Sequence, residues 1–220
     1  MTAINLLAQD IPALKLEQTG RDAFHLLSDY HVKHLPVIDG KRLVGIISEE
    51  DIFNHKLYDA VREYDFSLQR LFSVHPNEHL FEIMRLMGEN RLTIMPVTDE
   101  EGNYLGMVSQ NTLVKAFSNL TAFSMQGGVI IMEMSQRDYA LSTIARIVEE
   151  ENARVLAVLI SSTPDAELLE ITLKINRTDV SRIVASLERH QFTVRQTLAT
   201  DAYHDTLKDR YDALMSYLKV

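Results

Sequence analysis

Apolar positions along the chain follow two periods, and they alternate in a fixed order. Helical spacing at Ala23, Phe24, Leu26 and Leu27, with Thr19 as cap candidate and Asp22 three residues on, predicts a helix over Thr19 to Ser28. His31 to Ile47 then predicts two strands across the Asp39-Gly40 turn, and Ser48-Glu49-Glu50-Asp51 a helix start, with a capping hydroxyl and three carboxylates at the positive end of the helix dipole. Asn54 to Leu71 reads as a helical connection, and Thr2 to Leu16 as an arm or short helix feeding a strand near Leu14.

The same order returns sixty residues later. Pro36, Val37 and Asp39 align with Pro96, Val97 and Asp99; one inserted residue further on, Gly45 and Ser48 align with Gly106 and Ser109. Upstream, Ala23, Leu26, Leu27, Val32 and Leu35 match Ile83, Leu86, Met87, Leu92 and Met95, with a helix over Glu78 to Met87 and strands within Leu92 to Val108. Two copies of one pattern imply a duplicated unit packed with pseudo-two-fold symmetry.

After Phe117 the pattern changes. Ser118 to Gly128 reads as a linker, with Gly127-Gly128 as boundary. A strand at Val129 to Met134, a helix within Asp138 to Asn152 facing inward through Leu141, Ile144, Ala145 and Val148, and a hairpin of Val155 to Ser161 with Leu168 to Ile175 follow. A helix capped by Thr178 and a strand over Phe192 to Leu198 complete a βαββαβ, ferredoxin-like layout. Asp201 to Val220 reads as an amphipathic helix with Tyr203, Leu207, Tyr211, Leu214, Met215 and Leu218 on one face.

Composition narrows the chemistry. With 46% hydrophobic and 24% charged residues in 220, the chain supports packed globular cores, and the order of its elements makes them mixed α/β. It has no cysteine, which removes disulfides, thiolate metal sites and cysteine nucleophiles. A net charge of −9 argues against nucleic acid as a partner. No run has the length of a membrane span and the first residues lack a secretory pattern, so the expectation is a cytoplasmic protein without a membrane partner. Neither His31/His34 nor His75/His79 is joined by carboxylates at ligand spacing, so no metal is expected. Met84, Met87, Met95, Met107, Met132 and Met134 fall at core-facing positions of the expected elements, and Met125 does not. No nucleophile elbow, Walker loop or His-Glu-x-x-His occurs, and the chain does not read as an enzyme.

The repeated pattern, Leu35-Pro36-Val37-Ile38-Asp39, Leu43 to Ser48 and Asp51, resembles a tandem pair of CBS motifs, which pack into one Bateman module. The resemblance places the module over residues 1–122, with motif one at about 10–57 and motif two at about 66–120. It implies two clefts for adenosine-containing ligands, with the family's Ser/Thr-x-x-Asp signature at Ser48 and Asp51. A carboxylate accepts hydrogen bonds from ribose hydroxyls, and a helix start presents donors to a phosphate. In copy two the same positions are Ser109 and Thr112, so that carboxylate is missing. Pro36, with His31, Lys33 and His34 as candidate phosphate donors, belongs to the first cleft; Arg91 and Pro96 belong to the weaker second one. Glu49 and Glu50 disfavour a triphosphate without a cation.

Residues 127–198 resemble an ACT domain by element order, although Tyr139 stands nearest to the position where that family often has a ligand-approaching glycine. The combination is similar to acetoin-utilisation-type CBS-ACT proteins, with residues 201–220 as an added helix. The expectation is a regulatory homodimer that requires no cofactor and senses AMP, ADP, ATP or S-adenosylmethionine on behalf of a regulated protein. The alternatives are a dimerising interaction module with vestigial clefts and an amino-acid sensor acting through the ACT-like part.

Overall fold

Hairpins of β-branched and aliphatic residues, each introduced by a capped helix, build the first part of the chain. The computed structural model describes residues 1–8, 10–64, 72–162 and 168–199. The chain divides into two compact units, Met1–Phe117 and Ser118–Val220.

In the first unit, β1 (Leu14–Lys15) pairs in parallel with β2 (His34–Asp39), which pairs antiparallel with β3 (Arg42–Ser48). Helix α1 (Gly20–Asp29) lies between β1 and β2 in sequence, and α2 (Glu49–Asn54) follows β3. Copy two repeats this as α3 (Leu80–Glu89), β4 (Ile94–Thr98), β5 (Tyr104–Ser109) and α4 (Gln110–Ser118), with Val74 bridging Val97 as Leu14 pairs with Val37. The strands are buried on both faces in continuous apolar runs, which bring Leu35, Val37, Ile46 and Ile47, and their counterparts Met95, Val97, Met107 and Val108, into a shared core.

A second correspondence is absent from the hairpin pattern. Arm residues Ala3 and Ile4 donate their N–H groups to the carbonyls of Glu78 and Pro76, just as Val61 and Arg62 donate theirs to Gln18 and Leu16. Both segments form a 3₁₀ turn (Ala3–Leu6 and Val61–Glu63), and Ala3 and Val61 are each fully buried. Each motif is therefore completed by the segment that precedes the other motif in sequence.

Several elements differ from the sequence reading. Phe24, Met84 and Leu141 are exposed, because α1, α3 and the helix Leu141–Glu150 bury a narrower stripe than their apolar positions suggest. The described part of the connection after Asn54 contains one 3₁₀ turn and no longer helix, and its residues 65–71 lie outside the described residues.

The second unit opens with a one-turn helix, α5 (Thr121–Ser124), inside the stretch read as a linker. It continues as β6 (Gly128–Ser135), α6 (Leu141–Glu150), β7 (Val155–Ser162), β8 (Leu168–Ile175), α7 (Ser181–Arg189) and β9 (Thr193–Ala199). The antiparallel sheet has the order β7-β8-β6-β9, the βαββαβ layout expected. Its core joins Ile130, Met132, Ile144, Ile147, Ile171 and Leu187. Gly127 is a packing residue: a Cβ there would lie 1.9 Å from the Ile175 carbonyl oxygen. Thr178 does not cap α7. Val180 holds the cap position, and Asp179 Oδ1 accepts the Ser181 N–H at 3.0 Å. The expected helix over 201–220 lies outside the described residues.

Candidate functional site

The sequence dictates a sharp strand-to-helix corner at the end of each hairpin, where a hydroxyl residue stops the strand and caps the next helix. At the first corner, Ser48 N–H and Oγ donate to Asp51 Oδ2 at 2.7 and 2.6 Å, and Asp51 N–H donates to Ser48 Oγ at 3.1 Å. This is a capping box that pins a half-buried carboxylate at the start of α2. The strand register sets His34 directly opposite Ser48. His34, Ser48 and Asp51 therefore stand together, whereas Lys33 is exposed and gives its backbone carbonyl to the Glu49 N–H at 3.1 Å.

His34 also joins the two motifs. Thr93 N–H donates to its Nδ1 at 3.2 Å, Thr93 Oγ1 lies 3.0 Å from the same atom, and Lys33 N–H donates to Thr93 Oγ1 at 3.0 Å. An Nδ1 that accepts a backbone N–H assigns the ring proton of the neutral imidazole to Nε2. Burial holds the imidazole below the ordinary histidine range; Asp51 pulls the other way and Lys33 adds to the depression.

The second corner keeps the shape and loses the charge. Ser109 Oγ lies 2.6 Å from Thr112 Oγ1, and Thr112 N–H donates to Ser109 Oγ at 3.1 Å, so a second hydroxyl supplies the cap in place of the carboxylate. Ser109 is only 2% exposed, while Ser48 is partly open. The residue matching His34 is Ile94.

His31 and Arg91 occupy equivalent positions just past α1 and α3, exposed and left-handed at φ 52° and 53°. Pro36 and Pro96 are buried in mid-strand, paired with Ile46 and Met107. Neither proline joins His34, Ser48 and Asp51 as an exposed surface.

Two neighbours escaped the sequence reading. His55 Nδ1 lies 2.9 Å from the Asp51 carbonyl oxygen, and its ring stacks on Tyr64 at 4.3 Å. The Tyr64 hydroxyl is buried against Gly20 with no hydrogen-bond partner among the described residues. Burial raises its pKa, and Asp59 and Asp51 raise it further. Neither residue belongs to the repeated pattern, so no periodic signal pointed to them. Among the described residues no group of three or more His, Cys, Asp or Glu is placed to hold a metal ion. No described helix is long and apolar enough to cross a membrane.

The CBS domain matches residues 4–58 and 61–119, together just over half of the chain. An uncharacterised protein of Methanocaldococcus jannaschii is 22% identical over 110 residues, 50% of this chain and 42% of its own length. A homoserine O-acetyltransferase of Methanocorpusculum labreanum is 25% identical over 114 residues, 51% of this chain and 23% of that protein. The chain thus spans less than half the length of these curated relatives. Among solved structures, a CBS domain pair/ACT domain protein of Thermotoga maritima is 26% identical, with a TM-score of 0.47, over 53% of this chain and 96% of that one.

Proposed function

The chain belongs to the CBS domain family, and from that premise we propose a regulatory, non-catalytic sensor whose first motif binds an adenosine-containing ligand. CBS pairs commonly bind adenosyl compounds and act in regulation, and the asymmetry between the two corners favours the first. The observation that carries the reading is the cluster of His34, Ser48 and Asp51, whose counterparts are Ile94, Ser109 and Thr112. A pinned carboxylate is a pre-organised acceptor for ribose hydroxyls, and the neutral His34 carries a ring N–H suited to a phosphate or ring acceptor. Lys33 adds exposed positive charge at the start of α2, His31 and Arg91 stand exposed just past α1 and α3, and Glu49 and Glu50 favour AMP or S-adenosylmethionine over ADP and ATP. Occupancy would bias the two motifs through the His34–Thr93 contact, to the extent that the ligand prefers one arrangement. A homodimer acting on a regulated protein completes the proposal.

Calorimetric titration with AMP, ADP, ATP and S-adenosylmethionine tests it. At least one ligand is expected to bind, and Asp51→Ala to weaken it by about tenfold or more, the scale of one charge-assisted hydrogen bond. Absence of binding by all four, or equal binding by the variant, overturns the assignment. A second reading, an interaction module with vestigial clefts, draws on the mutual saturation of Ser48 and Asp51 Oδ2. A nucleotide that co-purifies with the chain, detected by mass spectrometry, would eliminate it.

A further inference from the structure

The second unit contains two adjoining cavities that the first motif does not involve. One, of about 580 Å³, lies where the β8-to-α7 connection meets the end of α6 and Gln126. Its lining carries charges of both signs, but the two signs are not equally available. Glu151 already accepts the Ser186 hydroxyl at 2.5 Å and sits 3.8 Å from Arg189. Asp179 accepts the first amide of α7. Among the described residues neither Arg177 nor Arg182 makes a side-chain hydrogen bond or ion pair, and the charge of Arg182 is felt at Asp179. Asn176 Oδ1 accepts the Arg154 N–H at 2.7 Å, which leaves its amide hydrogens to donate. What the cavity still offers a ligand is therefore mostly donors: two guanidinium groups, carboxamide N–H groups and the Thr178 hydroxyl.

The other cavity, of about 720 Å³, shares Asn152 and Asn176 with the first. It runs over Leu141, Ala145, Val155 and Val158, between α6 and β7, with Glu149 and Arg154 of opposite charge also on its wall. A donor-rich end, in which Glu151 and Asp179 balance the formal charge of the two arginines, thus continues into a trough with one apolar strip along Leu141, Ala145, Val155 and Val158. Leu141, expected in the core, is exposed and forms one wall of that trough.

We propose that the two cavities form one binding site for a small organic anion, its carboxylate or phosphate head held by Arg177 and Arg182 and its short apolar body lying along Leu141, Ala145 and Val158. Planar guanidinium groups match either head bidentately, and the trough removes apolar surface from water. The site is independent of the adenosyl reading, since no residue is shared with the first motif.

Calorimetry of the full chain with hexanoate, hexyl phosphate, 1-hexanol and inorganic phosphate tests the proposal and separates the two head groups. Hexanoate or hexyl phosphate is expected to bind saturably, about tenfold or more tighter than both the alcohol and inorganic phosphate, because only it uses both ends of the site. Combined Arg177→Gln and Arg182→Gln substitution, at two exposed positions, should lower that affinity by about tenfold or more. Ala145→Phe, which fills the trough, should do the same while the response to Asp51→Ala stays nil. Failure of both anions to saturate, equal binding of the alcohol or of inorganic phosphate, or indifference to the double arginine variant overturns the site.

Discussion

At the scale of single residues, one arrangement occurs three times with three different meanings. Thr19 with Asp22, Ser48 with Asp51 and Ser109 with Thr112 all cap a helix through the same atoms. Asp22 is exposed, Asp51 is half-buried beside His34, and Thr112 carries no charge. The Ser-x-x-Asp spacing was legible in the sequence, but its surroundings were not. That His34 faces Ser48 depends on strand register, and that it accepts from Thr93 depends on two motifs meeting across 59 residues of chain. His34 also sets a pH dependence. Its folded pKa is depressed, so the unfolded state takes up a proton first as pH falls. Its contribution to stability is complete above the unfolded value of about 6.5 and is lost as pH drops through that value toward the lower folded one. Urea melts from pH 8 to 5 should show this loss, and His34→Asn, whose Oδ1 can accept from Thr93 N–H without titrating, should flatten it. An unchanged slope in the variant would assign the acid sensitivity to other groups.

At the scale of elements, the ends of the helices repay attention as much as the starts. α1, α3, α6 and α7 all close with the same pair of reverse bonds, such as Val32 N–H to Leu27 and His31 N–H to Ser28, or Phe192 N–H to Leu187 and Gln191 N–H to Glu188. The left-handed residue is His31, Arg91, Asn152 or Gln191, never glycine, at φ between 52° and 67°. Gln191→Gly is therefore expected to raise stability by about 0.5–1 kcal/mol, because glycine enters this region without strain; a lower thermal midpoint would contradict it. The absence of glycine is also why the sequence blurred these helix ends by a residue or two. The N-terminal arm was harder still to read. Ala3 and Leu6 match Val61 and Tyr64 in place and burial, yet share too little side-chain character to register as a repeat. The hairpins were legible because two apolar runs across a polar turn, written twice in the chain, are redundant; a single 3₁₀ turn offers two buried positions and no period. Since Leu6 is 3% exposed in the common core, Leu6→Ala should cost about 2–4 kcal/mol in chemical denaturation. A cost near zero would mean that the arm is dispensable to the first unit.

At the scale of the whole molecule, duplication governs what remains uncovered as well as what is buried. Phe24 and Phe53 stand edge to face at 6.0 Å on α1 and α2, and their counterparts in copy two are Met84 and Val114. All four are exposed, Phe53 at 68% and Val114 at 69%. Isolated apolar residues on a surface need no explanation, but the same two positions left apolar in both copies give one chain two related patches. A second copy satisfies such a surface through an isologous contact, in which each patch is used twice. The net charge of −9 opposes that contact, since like-charged chains repel at low ionic strength. An apolar dimer should therefore tighten as salt is raised from about 0.05 to 0.5 M, where screening shortens to a few ångströms. Light scattering coupled to size exclusion is expected to find a dimer that Phe53→Asp with Val114→Asp converts to monomer, with each unit's circular dichroism intact because neither side chain is buried. A dimer that loosens with salt would point to ion pairs in place of these patches, and one that survives the double variant would put the interface elsewhere.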